Sequence, residues 1–203
     1  FLGTGTSQGI PMIANNDPVC LSNNPRDKRL RSSIMISWND FRYIIDCGPD
    51  FRQQMLRENI QAIDGVLFTH EHSDHTAGID DLRPYTYKMG EVPIFAQERV
   101  IENLKVRFSY IFETENRYAG APKLTENIID STSFILNGVK ITPLIVMHGK
   151  LPITGYRFGN MAYITDLKTM SDQEKKKLKD LEVLIVNALR INTHPTHLNL
   201  EEA

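Results

Sequence analysis

The residues best suited to chemistry lie in one short stretch, FTHEHSDHTAG at positions 68–78. Three of the six histidines of the chain, His70, His72 and His75, fall there together with Asp74. Imidazole and carboxylate groups are ligands for zinc, iron or manganese. Side chains two apart in an extended run point the same way, so His70 and His72 can reach one ion. A turn directly before Asp74, leading into a helix, would bring Asp74 and His75 towards a second ion.

The ordered H-x-H-x-D-H spacing argues against the alternative that three histidines share a solvated loop by chance. The zincin pattern H-E-x-x-H is absent, because residue 74 is Asp. The preceding run GVLF at 65–68 predicts a short buried strand. Open α/β sheets usually bind ligands where strands end, so this stretch is where we expect the site.

Further segments extend the pattern to a family. The stretch THEHSDH at 69–75, with Gly78 after it, resembles the signature of the metallo-β-lactamase-fold hydrolases. Five other segments occur in the order of that family: FLGTGTSQGIP (1–11), DCGPD (46–50), GIDDLRP (78–84), HGKLP (148–152) and HPTH (194–197). Together they resemble the branch that contains the phosphonate-pathway cyclic phosphodiesterases. The tRNA 3′-end-processing ribonucleases share a similar start and signature.

The resemblance implies a fold and a metal centre. The fold is a mixed αββα arrangement of the α+β class, a four-layer sandwich of two mixed β-sheets flanked by helices, as one domain over residues 1–203. The cofactors are two divalent metal ions, zinc or manganese. The implied metal ligands are His70, His72 and His148 for one ion, Asp74 and His75 for the other, and Asp166 as a bridge. A last histidine ligand would lie beyond the sequence given.

The resemblance also implies a reaction. A metal-activated hydroxide attacks a small, possibly cyclic, phosphodiester, and Asp74 can orient the attacking water. His197 matches a family histidine that acts near the leaving group, whereas His194 matches less well and is open to a structural role. Arg83 follows the metal motif and either binds substrate phosphate or pairs with Asp80 or its neighbour.

Asp46 and a basic run near the start of the chain each leave two alternatives open, whereas the loop at 12–32 and the early glycines do not. Asp46 ends a predicted strand and is either an acceptor for a ligand histidine or a plain turn residue. The loop at 12–32 keeps only Cys20 where this branch commonly carries several cysteines, so we do not expect a structural zinc there. The basic run RDKR at 26–29, with Arg31, is either a solvated loop or an attraction for phosphate. Glycine at 3 and 5 does not predict a dinucleotide site, because residue 8 is Gln.

Periodicity and turn residues predict the elements that position these residues. Hairpins are expected at 33–45 around Asn39, at 133–146 around Asn137-Gly138 and at 153–165 around Gly159. Helices are expected at 51–59, at 98–112 and after a capping box at 171–174. Residues 93–96 predict a short strand and residues 181–186 a buried one. The aromatic residues between 85 and 130 are core residues, or they line a lid or a subunit interface.

The composition of the chain limits the kinds of binding partner and the cellular compartment that we expect. With 203 residues and a net charge of −2, the chain has no global field that attracts nucleic acid or an anionic membrane. Two cysteines give no disulfide framework, and this predicts a cytoplasmic protein. The chain begins with Phe1 in an apparent strand and stops in an apparent helix that Asn199 would cap, so we expect the natural chain to be longer. The resemblance also admits a homodimer.

Three other functions stay open. A ribonuclease acting on tRNA ends would need an arm that grips RNA, and no long basic insertion is present. A thioester or lactone hydrolase would use the same ions on a carbonyl group. A metal-binding scaffold without turnover would need no further residues.

Overall fold

The computed structural model describes residues 1–203, which divide into two compact units, Phe1–Ile128 and Ile129–Ala203. The first unit contains one five-stranded sheet in the order β1-β2-β3-β4-β5. Its strands are β1 (Ile34–Trp38), β2 (Phe41–Ile45), β3 (Gly65–Leu67), β4 (Val92–Ala96) and β5 (Leu124–Ile128). The β1–β2 hairpin is antiparallel and the other pairs are parallel. The predicted hairpin around Asn39 is confirmed, and Asn39 takes the positive φ that its turn requires.

The first unit also contains six helices. They are α1 (Pro18–Leu21), α2 (Phe51–Arg57), α3 (Ser73–Thr76), α4 (Arg83–Met89), α5 (Glu98–Arg107) and α6 (Ser109–Phe112). Single 3-10 turns occur at Pro25–Asp27 and Ile79–Leu82. The predicted helix over 98–112 is wrong in one respect, because it breaks between α5 and α6. Phe108 has φ −125° and ψ 42° there, outside the helical region, while it packs against the core.

The core of the first unit lies along the central parallel strands. All three residues of β3 are buried, and Ile44, Val66 and Ile94 on adjacent strands have no exposed surface. Val100, Ile101 and Leu104 of α5 are equally inaccessible and belong to the same apolar cluster. A strand that is covered on both faces needs a continuous apolar run, and this is why β3 reads GVL without alternation.

The second unit contains a second mixed sheet in the order β10-β9-β8-β7-β6. Its elements are β6 (Phe134–Leu136), β7 (Val139–His148), β8 (Leu151–Phe158), β9 (Met161–Ile164), α7 (Asp172–Lys176) and β10 (Val183–Val186). Only β9 and β10 pair in parallel. Both predicted hairpins are confirmed, and Asn137 and Gly138 have the two positive φ values of a tight hairpin turn.

Two local predictions in the second unit need correction. The strand β10 is not buried, since Val183 and Leu184 are 47% and 48% exposed and β10 is the edge strand of its sheet. The capping box before α7 is only half formed. Ser171 accepts from the Glu174 amide, but the Glu174 carboxylate accepts from the Ile145 amide on β7 instead of returning to Ser171.

At the predicted cap, Asn199 and Glu202 form a reciprocal pair. The Asn199 side chain accepts from the Glu202 amide at 2.9 Å, and the Glu202 carboxylate accepts from the Asn199 amide at 3.0 Å. These two bonds are those of a complete capping box, but residues 200–202 form a turn and not the predicted helix. No helix has the length and apolar character needed to cross a membrane. Two mixed sheets with flanking helices confirm the predicted α+β class.

Two glycines let the loop after β2 dock against the loop after β3. The Cys47 amide donates to the His75 carbonyl at 2.8 Å, and the Gly78 amide donates to the Cys47 carbonyl at 2.9 Å. A Cβ atom on Gly48 would lie 2.0 Å from the Asp74 carbonyl oxygen, and one on Gly78 would lie 2.1 Å from the Gly48 carbonyl oxygen. The two loops can therefore approach this closely only because both positions lack a side chain.

We expect Gly48→Ala to lower the free energy of unfolding by about 1–3 kcal/mol, because the added methyl meets backbone that cannot rotate away. Urea denaturation measures the change. Gly120→Ala is the matched control, since the three atoms nearest to its methyl all belong to the Tyr118 side chain, which is 61% exposed and can swing aside. We expect the control to change the stability by less than about 0.5 kcal/mol. An equal loss in both variants would contradict the steric argument.

Candidate metal centre

The predicted site in the first unit is the segment that follows β3, residues 69–76, which we call the histidine turn. The chain is extended at His72, with φ −58° and ψ 149°, and α3 begins at the next residue. The predicted change of direction is therefore present, but it lies between His72 and Ser73, one residue earlier than expected. It divides the four candidate ligands into two pairs, one before the turn and one in the helix.

The first pair consists of His70 and His72. Nε2 of His70 lies 3.0 Å from Nδ1 of His72, and the two rings meet edge to face. Two nitrogens bound to one tetrahedral zinc would lie about 3.3 Å apart. The observed separation is close to that value, so this pair fits a single divalent ion.

The second pair consists of Asp74 and His75. Oδ2 of Asp74 lies 3.2 Å from Nε2 of His75, again near the separation expected for two ligands of one ion. The His70 and His75 rings are adjacent, with centroids 4.2 Å apart. The two pairs are thus neighbours, and oxygen and nitrogen donors of this kind suit zinc or manganese.

Asp46 orients one histidine of each pair, His75 directly and His70 through Thr69. Its side chain is completely buried and accepts three hydrogen bonds: from the Thr69 amide at 2.8 Å, from the Thr69 hydroxyl at 2.8 Å and from Nδ1 of His75 at 2.7 Å. Burial raises the pKa of this carboxyl, while the contacts with His75 and Thr69 oppose the rise. Of the two roles considered for Asp46, the structure shows the acceptor for a candidate ligand histidine.

The same carboxylate determines which nitrogen of each ring carries the hydrogen. His75 donates through Nδ1, which puts its lone pair on Nε2. The Thr69 hydroxyl donates to Asp46 and can therefore only accept from Nδ1 of His70, 2.9 Å away. The lone pair of His70 then lies on Nε2, the atom that faces His72. Thr69 was not singled out in the sequence, although its position directly before His70 was a usable signal.

In the second unit, His148 is oriented by a backbone oxygen. Nδ1 of His148 lies 2.9 Å from the carbonyl oxygen of Thr196, which can only accept, so the lone pair of His148 lies on Nε2. Gly149 permits this contact. It has φ +62°, and a Cβ there would lie 2.8 Å from Cγ2 of Thr196. The residue after the candidate ligand is thus glycine for both conformational and steric reasons.

Asp166 and His197 also lie together in the second unit. Nδ1 of His197 is 3.2 Å from Oδ1 of Asp166, but the alignment is not that of a hydrogen bond. The His197 ring also neighbours the rings of His148 and His194, with centroids 4.6 Å and 4.9 Å apart. Burial, and then the nearby His197, lower the pKa of His194, whose Nδ1 contacts Thr196. The structure thus brings the site residues predicted in this unit together.

Both key aspartates hold an unusual backbone conformation. Asp46 follows β2 with φ +65°, and Asp166 follows β9 with φ +53°. Non-glycine residues rarely adopt positive φ, although Asp tolerates it better than most. Such strain concentrates at functional positions, so it supports both residues as parts of a site.

Arg83 has a partner within its own segment. Its Nη2 atom lies 2.7 Å and 2.6 Å from the two carboxylate oxygens of Asp80, which also accepts from the Tyr110 hydroxyl at 2.7 Å. Of the two roles considered for Arg83, the structure contains the pair with Asp80. Binding of substrate by Arg83 stays a prediction.

We expect Asp46→Asn to weaken zinc binding by about 10- to 100-fold. An amide nitrogen at the position of Oδ2 would donate to His75 and to the Thr69 hydroxyl, and this would move the ring hydrogens of His75 and His70 onto Nε2. Competition with a chromophoric chelator measures the affinity.

Asp64→Asn is the matched control, since Asp64 accepts only an exposed bond from the Arg42 amide at 2.7 Å. It should leave zinc affinity within about twofold of the wild type. Unchanged zinc affinity in Asp46→Asn would show that Asp46 does not control the two rings.

Comparison with known proteins identifies the family of the chain. A family model described as the beta-lactamase superfamily domain matches residues 41–203. A crystal structure titled as a new diphosphatase from the PhnP family superposes with a TM-score of 0.90 at 39% identity, covering 99% of this chain and 78% of that one. The zinc-bound PqqB of Methylobacterium extorquens has a TM-score of 0.73 at 19% identity, covering 94% and 72%, and thus shares the fold.

Among curated proteins, an octanoyltransferase of Porphyromonas gingivalis is 41% identical over all of this chain but only 42% of its own length. A ribonuclease Z of Parabacteroides distasonis is 27% identical over 70% of this chain and 48% of its own length. The chain therefore spans less than half the length of these curated relatives. The family model covers most of the chain, and the chain belongs to the beta-lactamase superfamily domain family of metallo-β-lactamase-fold hydrolases.

Proposed function

We propose that this protein is a phosphodiesterase that uses two divalent metal ions, zinc or manganese, to hydrolyse a small and possibly cyclic phosphodiester. The observation that carries the proposal is the histidine turn, where two donor pairs stand at 3.0 Å and 3.2 Å. Adjacent pairs of this kind fit two ions better than one, since each already has the separation of ligands on a common ion.

The proposed ligand set is the one that the family resemblance implies, and it names residues of both compact units. His70, His72 and His148 hold one ion, Asp74 and His75 the other, and Asp166 bridges them. Within the units, three of these histidines have their lone pair directed to Nε2 by Asp46, Thr69 or Thr196. The assignment of His148 and Asp166 to the ions of the histidine turn rests on the family resemblance.

The chemistry divides between the ions and the protein. Two bound ions would lower the pKa of a coordinated water and neutralise charge on the attacked phosphate. Asp74 would orient that water through the oxygen not turned to His75. His197, close to Asp166 in the second unit, would give a proton to the departing alkoxide.

The substrate class is supported by the names of the relatives. The PhnP-family neighbour is called a diphosphatase and the Parabacteroides distasonis relative a ribonuclease Z, and both names describe enzymes that cleave bonds to phosphorus. A small substrate agrees better with a net charge of −2 than a nucleic acid does. The octanoyltransferase is matched over only 42% of its own length, so octanoyl transfer is kept here as an alternative.

We expect metal-stripped protein not to release nitrophenol from bis(p-nitrophenyl) phosphate, and manganese or zinc to restore release. Asp74→Ala and Asp166→Ala should each lower kcat/KM by at least about a hundredfold, because each removes a proposed ligand. Asp172→Ala is the control, since that carboxylate on α7 is 93% exposed and pairs only with Lys175. Equal activity in all three variants would refute the ligand assignment, and no turnover by wild type with bound ions would refute the phosphodiesterase.

His197→Gln should affect two substrates differently. A nitrophenolate leaves without a proton, so activity on bis(p-nitrophenyl) phosphate should fall by less than about tenfold. The alkoxide of 2′,3′-cyclic AMP needs a proton, so activity on that ester should fall by about a hundredfold or more.

His194→Gln tests whether any neighbouring histidine would give that result. Its ring contacts His197 and the Thr196 segment, so we expect a similar fractional loss with both substrates. Equal fractional losses of the two substrates in His197→Gln would contradict its role as proton donor.

The octanoyltransferase and ribonuclease Z relatives supply the other candidates. The same ions would activate a carbonyl, so p-nitrophenyl octanoate, which has the same leaving group, tests the acyl ester. A tRNA precursor with a 3′ extension tests the ribonuclease. A higher kcat/KM on either substrate than on all small phosphodiesters would replace the proposed substrate class. Two bound ions without turnover of any ester would instead indicate a metal-binding scaffold.

A further inference from the structure

A second support for the histidine turn comes from the end of α5. Nη1 of Arg107 donates to the carbonyl oxygen of Glu71 at 2.6 Å and to Oγ1 of Thr76 at 2.9 Å, and Nη2 donates to Oγ of Ser73 at 3.1 Å. One guanidinium thus contacts the turn at Glu71, at Ser73 and at its last residue, Thr76. A guanidinium presents its donors in a fixed planar fork on separate nitrogens, whereas an ammonium carries its three donors on one nitrogen.

Thr76 extends that contact into the buried side of the turn. Its side chain has no exposed surface, and its hydroxyl lies 2.9 Å from the carbonyl oxygen of His72 and 3.3 Å from that of Glu71. The hydroxyl has one hydrogen, which the shorter contact with His72 takes. Because Thr76 also accepts from Arg107, it links the guanidinium to the backbone of a proposed metal ligand.

The helix that carries Arg107 is a firm base for these contacts. Val100, Ile101 and Leu104 anchor α5 in the core of the first unit. Arg99, two turns earlier on α5, forms an ion pair with the carboxylate of Glu71. The same helix therefore holds the turn through both a side chain and the backbone.

We propose that Arg107, acting through Thr76, is a positioning residue of the metal centre. It holds the backbone from Glu71 to Thr76 so that the donor pairs keep their separations before an ion arrives. A preorganised turn gives up less conformational entropy when ions bind, and this raises affinity without any contact to the ions. The inference rests on the proposed function, because it takes the four side chains of the turn to be metal ligands.

Charge and positioning predict opposite effects, which makes the inference testable. Arg107 is a cation close to a site for two cations, so its charge alone disfavours metal binding. The side chain is exposed and that repulsion is screened by salt. Removal of Arg107 should therefore raise metal affinity slightly if charge dominates and lower it if positioning dominates.

The test is zinc affinity of metal-stripped protein, measured by competition with a chromophoric chelator. We expect Arg107→Met and Thr76→Val each to weaken zinc binding by about tenfold, with Arg107→Lys weakened nearly as much. The double variant Arg107→Met, Thr76→Val should lose no more than the larger single loss, because both changes break one linkage.

Lys105→Met is the control on the same helix, since Lys105 pairs with Glu102 and Glu126 and contacts no residue of the turn. It should leave zinc affinity within about twofold of wild type. The thermal midpoint of each metal-free variant identifies any that is unfolded. If Arg107→Met is unfolded, Arg107→Lys and Thr76→Val carry the comparison.

Zinc affinity in Arg107→Met that equals or exceeds that of wild type would overturn the inference, as would additive losses in the double variant. Zinc uptake that depends on Arg107 in a protein that hydrolyses no ester would uphold the inference and refute only the proposed activity. Hydrolysis by wild type, together with a zinc affinity that does not change when Arg107 is replaced, would uphold the proposed activity and refute the inference.

Discussion

The first half of the candidate metal centre depends on one buried carboxylate. Burying the ionised side chain of Asp46 would be costly without partners, and three hydrogen bonds from Thr69 and His75 offset that cost. The register of the sheet provides this arrangement. Ile45 of β2 pairs with Leu67 of β3, and the Asp46 amide donates to the Leu67 carbonyl at 3.0 Å, so the two strand ends leave the sheet together. The pairing of β2 with β3 thus places Asp46 where it orients His75 directly and His70 through Thr69.

In each unit a hydrogen bond from Nδ1 orients a candidate ligand histidine, but the group that accepts this bond differs between the units. In each, an aspartate with positive φ closely follows a strand: Asp46 comes directly after β2, and Asp166 comes two residues after β9. Each unit directs a histidine through Nδ1, but His75 donates to a carboxylate and His148 to a backbone carbonyl. A carboxylate acceptor makes a ligand histidine more basic than a carbonyl acceptor does. The two ions of the proposed centre would therefore meet histidines of unequal donor strength.

The rest of the first unit keeps the histidine turn in place from several sides. The loop at 46–50 approaches it through Gly48 and Gly78, and α5 holds it from outside through Arg99 and Arg107. The backbone of the candidate metal centre is thus held from several sides. The relatives of the chain carry names as different as diphosphatase, ribonuclease Z and octanoyltransferase. Within a fold of this kind, differences in activity arise in the loops around a constant site or in further parts of the chain.

The sequence by itself determined the local features. The H-x-H-x-D-H spacing located the histidine turn, and Asn137-Gly138 located a hairpin, because ligand spacing and turn conformation depend on residues a few positions apart. The apolar strand at 181–186 was found, but its exposed edge position was not, since burial depends on neighbouring strands. Tertiary structure alone decided that Glu174 accepts from Ile145, that the Thr196 carbonyl orients His148, and that Arg107 reaches back to Glu71. Contacts across 29 to 48 positions follow from the pairing of strands and the packing of helices, and no local pattern encodes them.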